Sequence, residues 1–244
     1  FYAAPLSPDV SFTQLLRNGD SFADAIALGY PRGGDDLVVI ATDGEVYGHH
    51  EPFADMALSY LIESAAPRRG LEMTNFGAYL AAHEPRFEVE LKPGPNGEGT
   101  AWSCPHGVGR WKEDCGCSTG APAGWNQKWR APLRAGLNTL RETLAALYEK
   151  EGSTLFADPW KARDDYILIA GTRDGIAARA FVASRASRAL SPEETSRALA
   201  LLECQRNAQL MFTSCGWFFS DISGIETVQI LRYAARAIEL AGPG

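Results

Sequence analysis

The sequence lacks the features that mark membrane and secreted proteins. No apolar run approaches the roughly 20 residues that a membrane helix needs, and the first residues show no signal-peptide pattern. Cysteine is scarce, with 5 in 244 residues, and a low, odd count favours free thiols or metal ligation over disulfides. The sequence therefore predicts a soluble, cytoplasmic protein with no membrane partner.

Positive charge is also in short supply. Lys and Arg number 23 against 30 Asp and Glu, which gives a formal net charge of -7. Proteins that bind nucleic acid need clustered Lys and Arg to displace counterions from phosphates. The sequence therefore predicts no nucleic-acid partner.

Strand patterns are few, and the clearest one leads into a polar segment. Residues 37–40 are a short β-branched run typical of a strand buried on both faces, and Thr42, Asp43 and Glu45 follow it. Polar groups at the carboxyl end of such a strand lie where α/β folds place their chemistry. Residues 87–91 alternate polar and apolar and predict another short strand. An ordinary β-turn is the alternative for residues 42–45, because Asp-Gly is a common turn pair.

Helical patterns dominate the rest of the chain. Leucines recur at helical spacing over residues 126–150, and Ser191-Pro-Glu-Glu194 is a capping box that opens a helix through Met211. Ser223-Gly-Ile-Glu226 repeats the box pattern. Further helices are predicted over residues 52–67, 72–83 and 158–169.

Two segments resemble glycoside hydrolase family 57. Residues 43–49 match its acid/base motif, in which Asp-x-Glu-x-aromatic-Gly ends a strand and is often followed by His. Residues 211–219 and 221–233 resemble the C-terminal uncharacterised domain of one bacterial subgroup of that family. The resemblance implies an α/β N-terminal part, namely the last strands and helices of an incomplete (β/α) barrel, followed by a mainly α-helical domain. The implied divisions are residues 1–100 for the barrel portion, 101–125 for a Cys/Trp-rich active-site loop, and 126–244 for the helical domain.

The resemblance also implies roles for the acidic segment. Asp43 would be the general acid/base of a retaining glycosidase, and Glu45 would hold Asp43 or a sugar hydroxyl. Tyr47 and His49 would contact sugar, with a structural hydrogen bond as the alternative for His49.

The nucleophile that this chemistry requires is missing upstream of Asp43. It is a glutamate in the family, whereas the upstream acids are Asp9, Asp20, Asp24, Asp35 and Asp36. The chain opens with Phe-Tyr-Ala-Ala-Pro and no Met. We therefore expect a piece of something larger, with a companion chain supplying the rest of the barrel.

A glycine-softened loop carries three cysteines and a histidine. Cys104, His106, Cys115 and Cys117 suit a tetrahedral zinc ion. The Cys-x-His and Cys-x-Cys spacings are tighter than the usual two-residue gap. Free buried thiols and a Cys104–Cys115 disulfide are the alternatives.

Aromatic and amide side chains are the remaining candidates for sugar contact. By resemblance, Gln205, Asn207 and Trp217 would reach the active site; the alternative is that Trp217 is core and the amides cap helix ends. Stacking faces and donors in the loop segment suit pyranose rings. They belong to Trp102, His106, Arg110, Trp111, Trp125 and Trp129, of which Trp129 also suits a helix core.

Three function classes remain open from the sequence. The first is a retaining two-carboxylate glycoside hydrolase or glycosyl-transfer enzyme acting on α-glucan, with an oligo- or polysaccharide as its substrate. The second is a non-catalytic carbohydrate-binding or assembly module stabilised by zinc. The third is a zinc-dependent hydrolase of another kind, which would lose activity on chelation. The glycosidase chemistry itself requires no cofactor.

Overall fold

A computed structural model describes residues 14–29, 37–94, 97–101, 103–117, 120–172 and 174–242. The chain divides into two compact units, Phe1–Glu88 and Val89–Gly244. Each unit has hydrophobic clusters of its own, one in the first unit and two in the second.

Helices make up most of the described structure. In chain order they are α1 (Gly19–Leu28), α2 (Ala54–Tyr60), α3 (Phe76–Ala82), α4 (Arg130–Leu155), α5 (Pro159–Asp165), α6 (Gly175–Arg185), α7 (Pro192–Leu210) and α8 (Ile225–Ala241). A π-helical turn, Leu61–Ala65, and a last turn, Ala66–Arg68, extend α2. Short 3-10 turns lie at Gln14–Arg17, Gly44–Val46, Gly109–Trp111, Tyr166–Leu168 and Ser214–Trp217. Within the described ranges, no helix is both long and apolar enough to cross a membrane.

The predicted α/β N-terminal part, the end of a (β/α) barrel, is wrong. The described residues contain isolated β-bridges but no strand of two or more residues. Residues 37–40 are half-buried, and of these four only Val39 forms a β-bridge. Residues 87–91 are exposed and form neither a strand nor a β-bridge. Among the described residues, the end of the apolar run packs against the helical core of the first unit, where Ile40 contacts the buried cluster.

The first unit packs α1 against the α2 segment. Asn18 caps α1, because its side-chain oxygen accepts hydrogen bonds from the backbone N–H groups of Asp20 and Ser21, each at 3.0 Å. Phe22 from α1 and Leu61 from the π-helical turn are buried in the shared core. The predicted helix over residues 52–67 is confirmed, although it begins at Ala54 and continues to Arg68.

The second unit is a bundle centred on α4, α7 and α8. The leucine spacing predicted α4, and Leu137 and Leu144 are buried where the three helices meet. The Ser191 capping box is confirmed at the start of α7. The Ser223 box is wrong, because Gly224 caps α8 and the Ser223 hydroxyl donates to the Asp221 carboxylate at 2.8 Å instead.

Two shorter helices complete the second unit. Asp158 caps α5, which begins the helix predicted over residues 158–169, and its carboxylate accepts from the Lys161 N–H at 3.0 Å. The sequence patterns did not predict helix α6. Its buried Phe181 and Val182 pack in a second hydrophobic cluster that also contains Tyr148. The helical character predicted for residues 126–244 therefore holds.

Candidate metal centre

Four predicted ligands converge in the second unit. The ligand atoms of Cys104, His106, Cys115 and Cys117 all lie within 4.8 Å of one another. Cys117 Sγ is 3.4 Å from His106 Nδ1 and 3.9 Å from Cys104 Sγ, and Cys104 Sγ is 3.9 Å from His106 Nδ1. The cluster could therefore hold a metal ion.

These separations match the edges of a small tetrahedron. With zinc–sulfur bonds of about 2.3 Å and zinc–nitrogen bonds of about 2.0–2.1 Å, sulfur–sulfur edges are about 3.8 Å and sulfur–nitrogen edges about 3.5 Å. The sulfur–sulfur distance of 3.9 Å and the shorter sulfur–nitrogen distance of 3.4 Å are close to those values. Cys104, His106 and Cys117 therefore lie near the separations that a shared zinc ion requires.

Two glycines bring the ligands together. Gly116, between Cys115 and Cys117, has φ +79°, a backbone conformation that other residues rarely adopt. A Cβ atom at Gly109 would lie 3.2 Å from Cys115 Cβ and 3.1 Å from Glu113 Oε1. The missing side chain of Gly109 therefore lets the Gly109–Trp111 turn approach Cys115. The positive φ of Gly116 allows the backbone to turn between Cys115 and Cys117, so both thiols can reach the ligand cluster.

The surroundings of Cys104 and Cys117 shift the pKa values of the two thiols in opposite directions. Burial by itself would raise the pKa of Cys104, but hydrogen bonds from the backbone N–H groups of Arg110 and His106, and from the His106 and Cys117 side chains, lower it to about 7. Burial, followed by hydrogen bonds to Cys115 and Cys104, raises the pKa of Cys117 to about 11. Cys104 therefore ionises first, and a thiolate is the form that binds metal.

The ligand loop is fastened to the helical bundle. The Gln127 amide, 4% exposed, donates to the Cys117 carbonyl at 3.0 Å and to the Ser220 hydroxyl at 2.9 Å. The indole N–H of Trp111 donates to the Ser214 carbonyl at 3.1 Å, and that of Trp129 donates to the Ser220 carbonyl at 3.1 Å. These bonds join the ligand loop to residues 213–220 and to the start of α4.

The cysteines are free thiols, so the Cys104–Cys115 disulfide is not present. Cys204 is buried and donates to the Ala237 carbonyl at 3.3 Å, as a small core residue. Cys215 is exposed. It lies in the turn that precedes Trp217.

The acidic segment lies in the first unit. Asp43 is exposed and precedes the 3-10 turn Gly44–Val46 without a side-chain capping bond, and Glu45 is exposed within that turn. Tyr47 is half-buried, and its hydroxyl accepts from Thr42 Oγ1 at 3.1 Å. His49 is exposed, with its ring centroid 5.0 Å from that of His50. The segment is a turn, and its predicted roles stay predictions.

The amides and tryptophan of the tail lie within the bundle. Gln205 is buried and donates to the Leu144 carbonyl at 2.9 Å, while Asn207 donates to the Glu203 carbonyl at 2.8 Å. Trp217 is fully buried, stacked between Phe212 and Trp129 with centroid separations of 6.4 and 6.2 Å. In this arrangement all three contribute to the packing of α4, α7 and α8.

The loop aromatics divide between packing and exposure. Trp111 and Trp129 are partly buried against the bundle core, whereas Trp125 is 51% exposed. His106 is exposed and belongs to the metal cluster. Trp102 lies outside the described residues.

Sequence reasoning missed the residues that surround the ligands. Arg130 is fully buried and reaches the ligand Cys115, and Ser220 ties Gln127 to the bundle. A buried arginine has no sequence signature of its own. Its place directly after Trp129, at the first position of α4, is the only signal, because the partly buried tryptophan packs against the bundle core and holds the start of the helix there.

Comparison with known proteins concerns the second unit. Residues 125–243 match a family model described as a domain of unknown function (DUF3536). A search of curated proteins and a search of solved structures each gave no match. The matched range covers α4 to α8 together with Gln127 and Arg130, and it begins after the four candidate ligands.

Proposed function

We propose that Val89–Gly244 is a non-catalytic helical module, built around a structural zinc site, that serves as the assembly or carbohydrate-binding part of a glycosidase. Cys104, His106, Cys115 and Cys117 are its zinc ligands. The observation that carries the proposal is the convergence of four ligand atoms within 4.8 Å of one another.

The ligand count favours a structural role over zinc-dependent hydrolysis. A structural zinc ion has four protein ligands, whereas a catalytic one keeps a position open for water or substrate. Here four protein side chains, enough to fill all positions of a tetrahedral site, lie within 4.8 Å of one another. The free thiols also suit the reducing cytoplasm.

The link to carbohydrate rests on resemblance. The tail, residues 211–233, resembles the C-terminal domain found with glycoside hydrolase family 57, and the match over residues 125–243 is to a domain of unknown function. A zinc-tied loop next to a helical bundle gives such a domain a fixed surface for its enzyme or for an oligosaccharide. His106, Trp111 and Trp125 are the proposed sugar contacts on that loop.

Metal analysis of the purified chain tests the zinc site. We expect one zinc ion per chain by mass spectrometry under native conditions, and a lower melting temperature after chelation. Cys117→Ser should abolish zinc binding, and the exposed Cys215→Ser should retain it. A zinc content that is unaffected by Cys117→Ser would refute the assignment.

A second candidate function concerns the exposed carboxylates of Asp43 and Glu45. Their motif supports a retaining glycosidase acting on α-glucan, in which Asp43 is the acid/base and Tyr47 and His49 contact sugar. A partner polypeptide would supply the nucleophilic glutamate. In the assembled enzyme, Asp43→Asn should remove turnover on α-glucans, while Asp55→Asn, another exposed acid of the first unit, should not. Full turnover by Asp43→Asn would exclude this role.

A further inference from the structure

Two buried arginines lie beside the metal cluster. Arg130 is 0% exposed and Arg110 is 4% exposed. Their guanidinium groups converge on the Phe218 carbonyl, at 2.8 Å from Arg130 Nη2 and 3.2 Å from Arg110 Nη1. Arg130 also donates to the Phe219 carbonyl at 3.1 Å, and Arg110 donates to the Ser103 carbonyl at 3.0 Å.

Hydrogen bonds to carbonyls leave the charge of these arginines unbalanced. Within the described ranges no carboxylate forms an ion pair with either group. The Nε atoms of both are buried and lack a hydrogen-bond partner. A buried cation is costly unless an anion lies close to it. Burial lowers the pKa of Arg130, and the charges of Cys115 and, less strongly, of the Asp114 carboxylate oppose that shift.

Of these two groups, the Cys115 thiol belongs to the metal cluster. Arg130 Nη1 lies 4.0 Å from Cys115 Sγ. Three thiolates and a neutral imidazole around a divalent ion leave one net negative charge on the centre, delocalised over the sulfur atoms. That charge lies beside Arg130 when the centre is loaded.

We propose that Arg130 is the counter-charge of the metal–thiolate centre, so that the bound ion and the buried guanidinium stabilise each other. The proposal rests on the zinc site proposed above and assigns a positioning residue to it. Because Arg130 also holds the Phe218 and Phe219 carbonyls, it couples metal binding to the turn that precedes α8.

Zinc affinity in charge-changing variants tests this coupling. Arg130→Met should weaken zinc binding at least tenfold in competition with a chromophoric chelator, within the range of about 10–100-fold seen when a group that contacts a metal ligand is changed. Arg130→Lys should recover most of the affinity, because it restores the charge without the two-pronged hydrogen bonding. The matched control is Arg141→Met, three turns further along α4, where the guanidinium lies 5.7 Å from the centroid of the Phe212 ring. Its zinc affinity should change less than twofold.

The outcomes separate charge from packing. Equal losses in Arg130→Met and Arg130→Lys would assign Arg130 to hydrogen bonding alone and overturn the proposal, as would an unchanged affinity in Arg130→Met. If Arg130→Met does not fold, Arg130→Gln takes its place, because it keeps a hydrogen-bond donor for the Phe218 and Phe219 carbonyls but removes the charge. A loss of zinc affinity of at least tenfold in Arg130→Gln supports the counter-charge, and an affinity equal to that of Arg130→Lys refutes it. If the purified wild-type protein contains no zinc, the zinc site itself is refuted. If it contains one zinc ion whose affinity does not change in the Arg130 variants, only the counter-charge role of Arg130 is refuted.

Discussion

At the scale of single residues, Gly216 shows how closely the turn at residues 213–220 is packed. A Cβ atom there would collide with the Ile230 side chain and would lie 3.1 Å from the Glu226 carbonyl oxygen of α8. Thr227 fixes the same contact, because its hydroxyl donates to the Gly216 carbonyl at 2.8 Å. The turn that carries the Phe218 carbonyl therefore depends on glycine for its approach to α8.

Gly216→Ala should destabilise the protein by about 1–3 kcal/mol, the usual cost of adding a methyl group to a packed site. Chemical denaturation followed by circular dichroism measures this cost. Gly136→Ala is the matched control, since its Cβ in the middle of α4 would meet nothing within 4 Å. That change should raise stability by up to about 1 kcal/mol, the helix-propensity difference. Equal effects of the two substitutions would contradict the packing argument.

At the scale of elements, the start of α7 is held by a charged capping box. The Glu194 carboxylate accepts two hydrogen bonds from Arg188, at 2.6 and 2.9 Å, and one from the Ser191 N–H at 2.9 Å. The Arg188 bonds, followed by the Ser191 backbone bond, lower the pKa of Glu194 to about 2 from its ordinary 4.5. A carboxylate whose pKa is depressed on folding stabilises the fold above its ordinary pKa and loses that effect as the pH falls through the folded value.

Glu194→Gln should therefore melt at a lower temperature than the wild type at pH 7. The gap should begin to close below about pH 4.5 and continue to close toward pH 2, in line with the two pKa values. Melting curves between pH 7 and pH 3 measure it. Glu226→Gln, in the first turn of α8, is the control for general charge loss at a helix start. A gap that stays constant across this range would show that the Arg188 contact contributes nothing.

The two capping boxes also show how far sequence reasoning reaches. Ser191 and Ser223 each stand three residues before a glutamate, yet of the two only Ser191 caps its helix. The Ser223 hydroxyl donates its hydrogen bond to the Asp221 carboxylate instead. Local patterns correctly predicted α4, α5 and α7, whose apolar faces and caps lie within the segments themselves. The predicted strand at residues 37–40 failed because a strand depends on a neighbouring chain segment that local sequence does not reveal.

The candidate site divides in the same way. Cys104, His106, Cys115 and Cys117 were found from residue type and proximity along the chain, which is enough for a ligand set within one loop. Arg130 was not found, because its role follows from burial beside a thiol that is distant in sequence. The predicted sugar contacts at Gln205 and Trp217 came from resemblance, and burial places both side chains inside the bundle.

At the scale of the whole molecule, an exposed segment marks the boundary between the two units. Residues 84–93 contain no helix or strand, and Phe87, Val89 and Leu91 are 91, 87 and 92% exposed. The boundary between Glu88 and Val89 falls within this segment. Exposed extended backbone is the preferred substrate of proteases, whereas packed helices must first open.

Brief trypsin treatment should therefore cut first after Arg86, within this exposed segment. The products should be residues 1–86 and 87–244, identified by intact mass, and zinc should remain with the larger product because all four ligands lie in it. Arg86→Gln should remove this early cleavage without altering zinc content. Early cleavage within α4 or α7, or zinc recovered with residues 1–86, would contradict the assignment of the metal centre to a separately folded helical unit. Retention of zinc by the larger product would mean that the Cys/His loop needs only the bundle to which Gln127 and Arg130 fasten it.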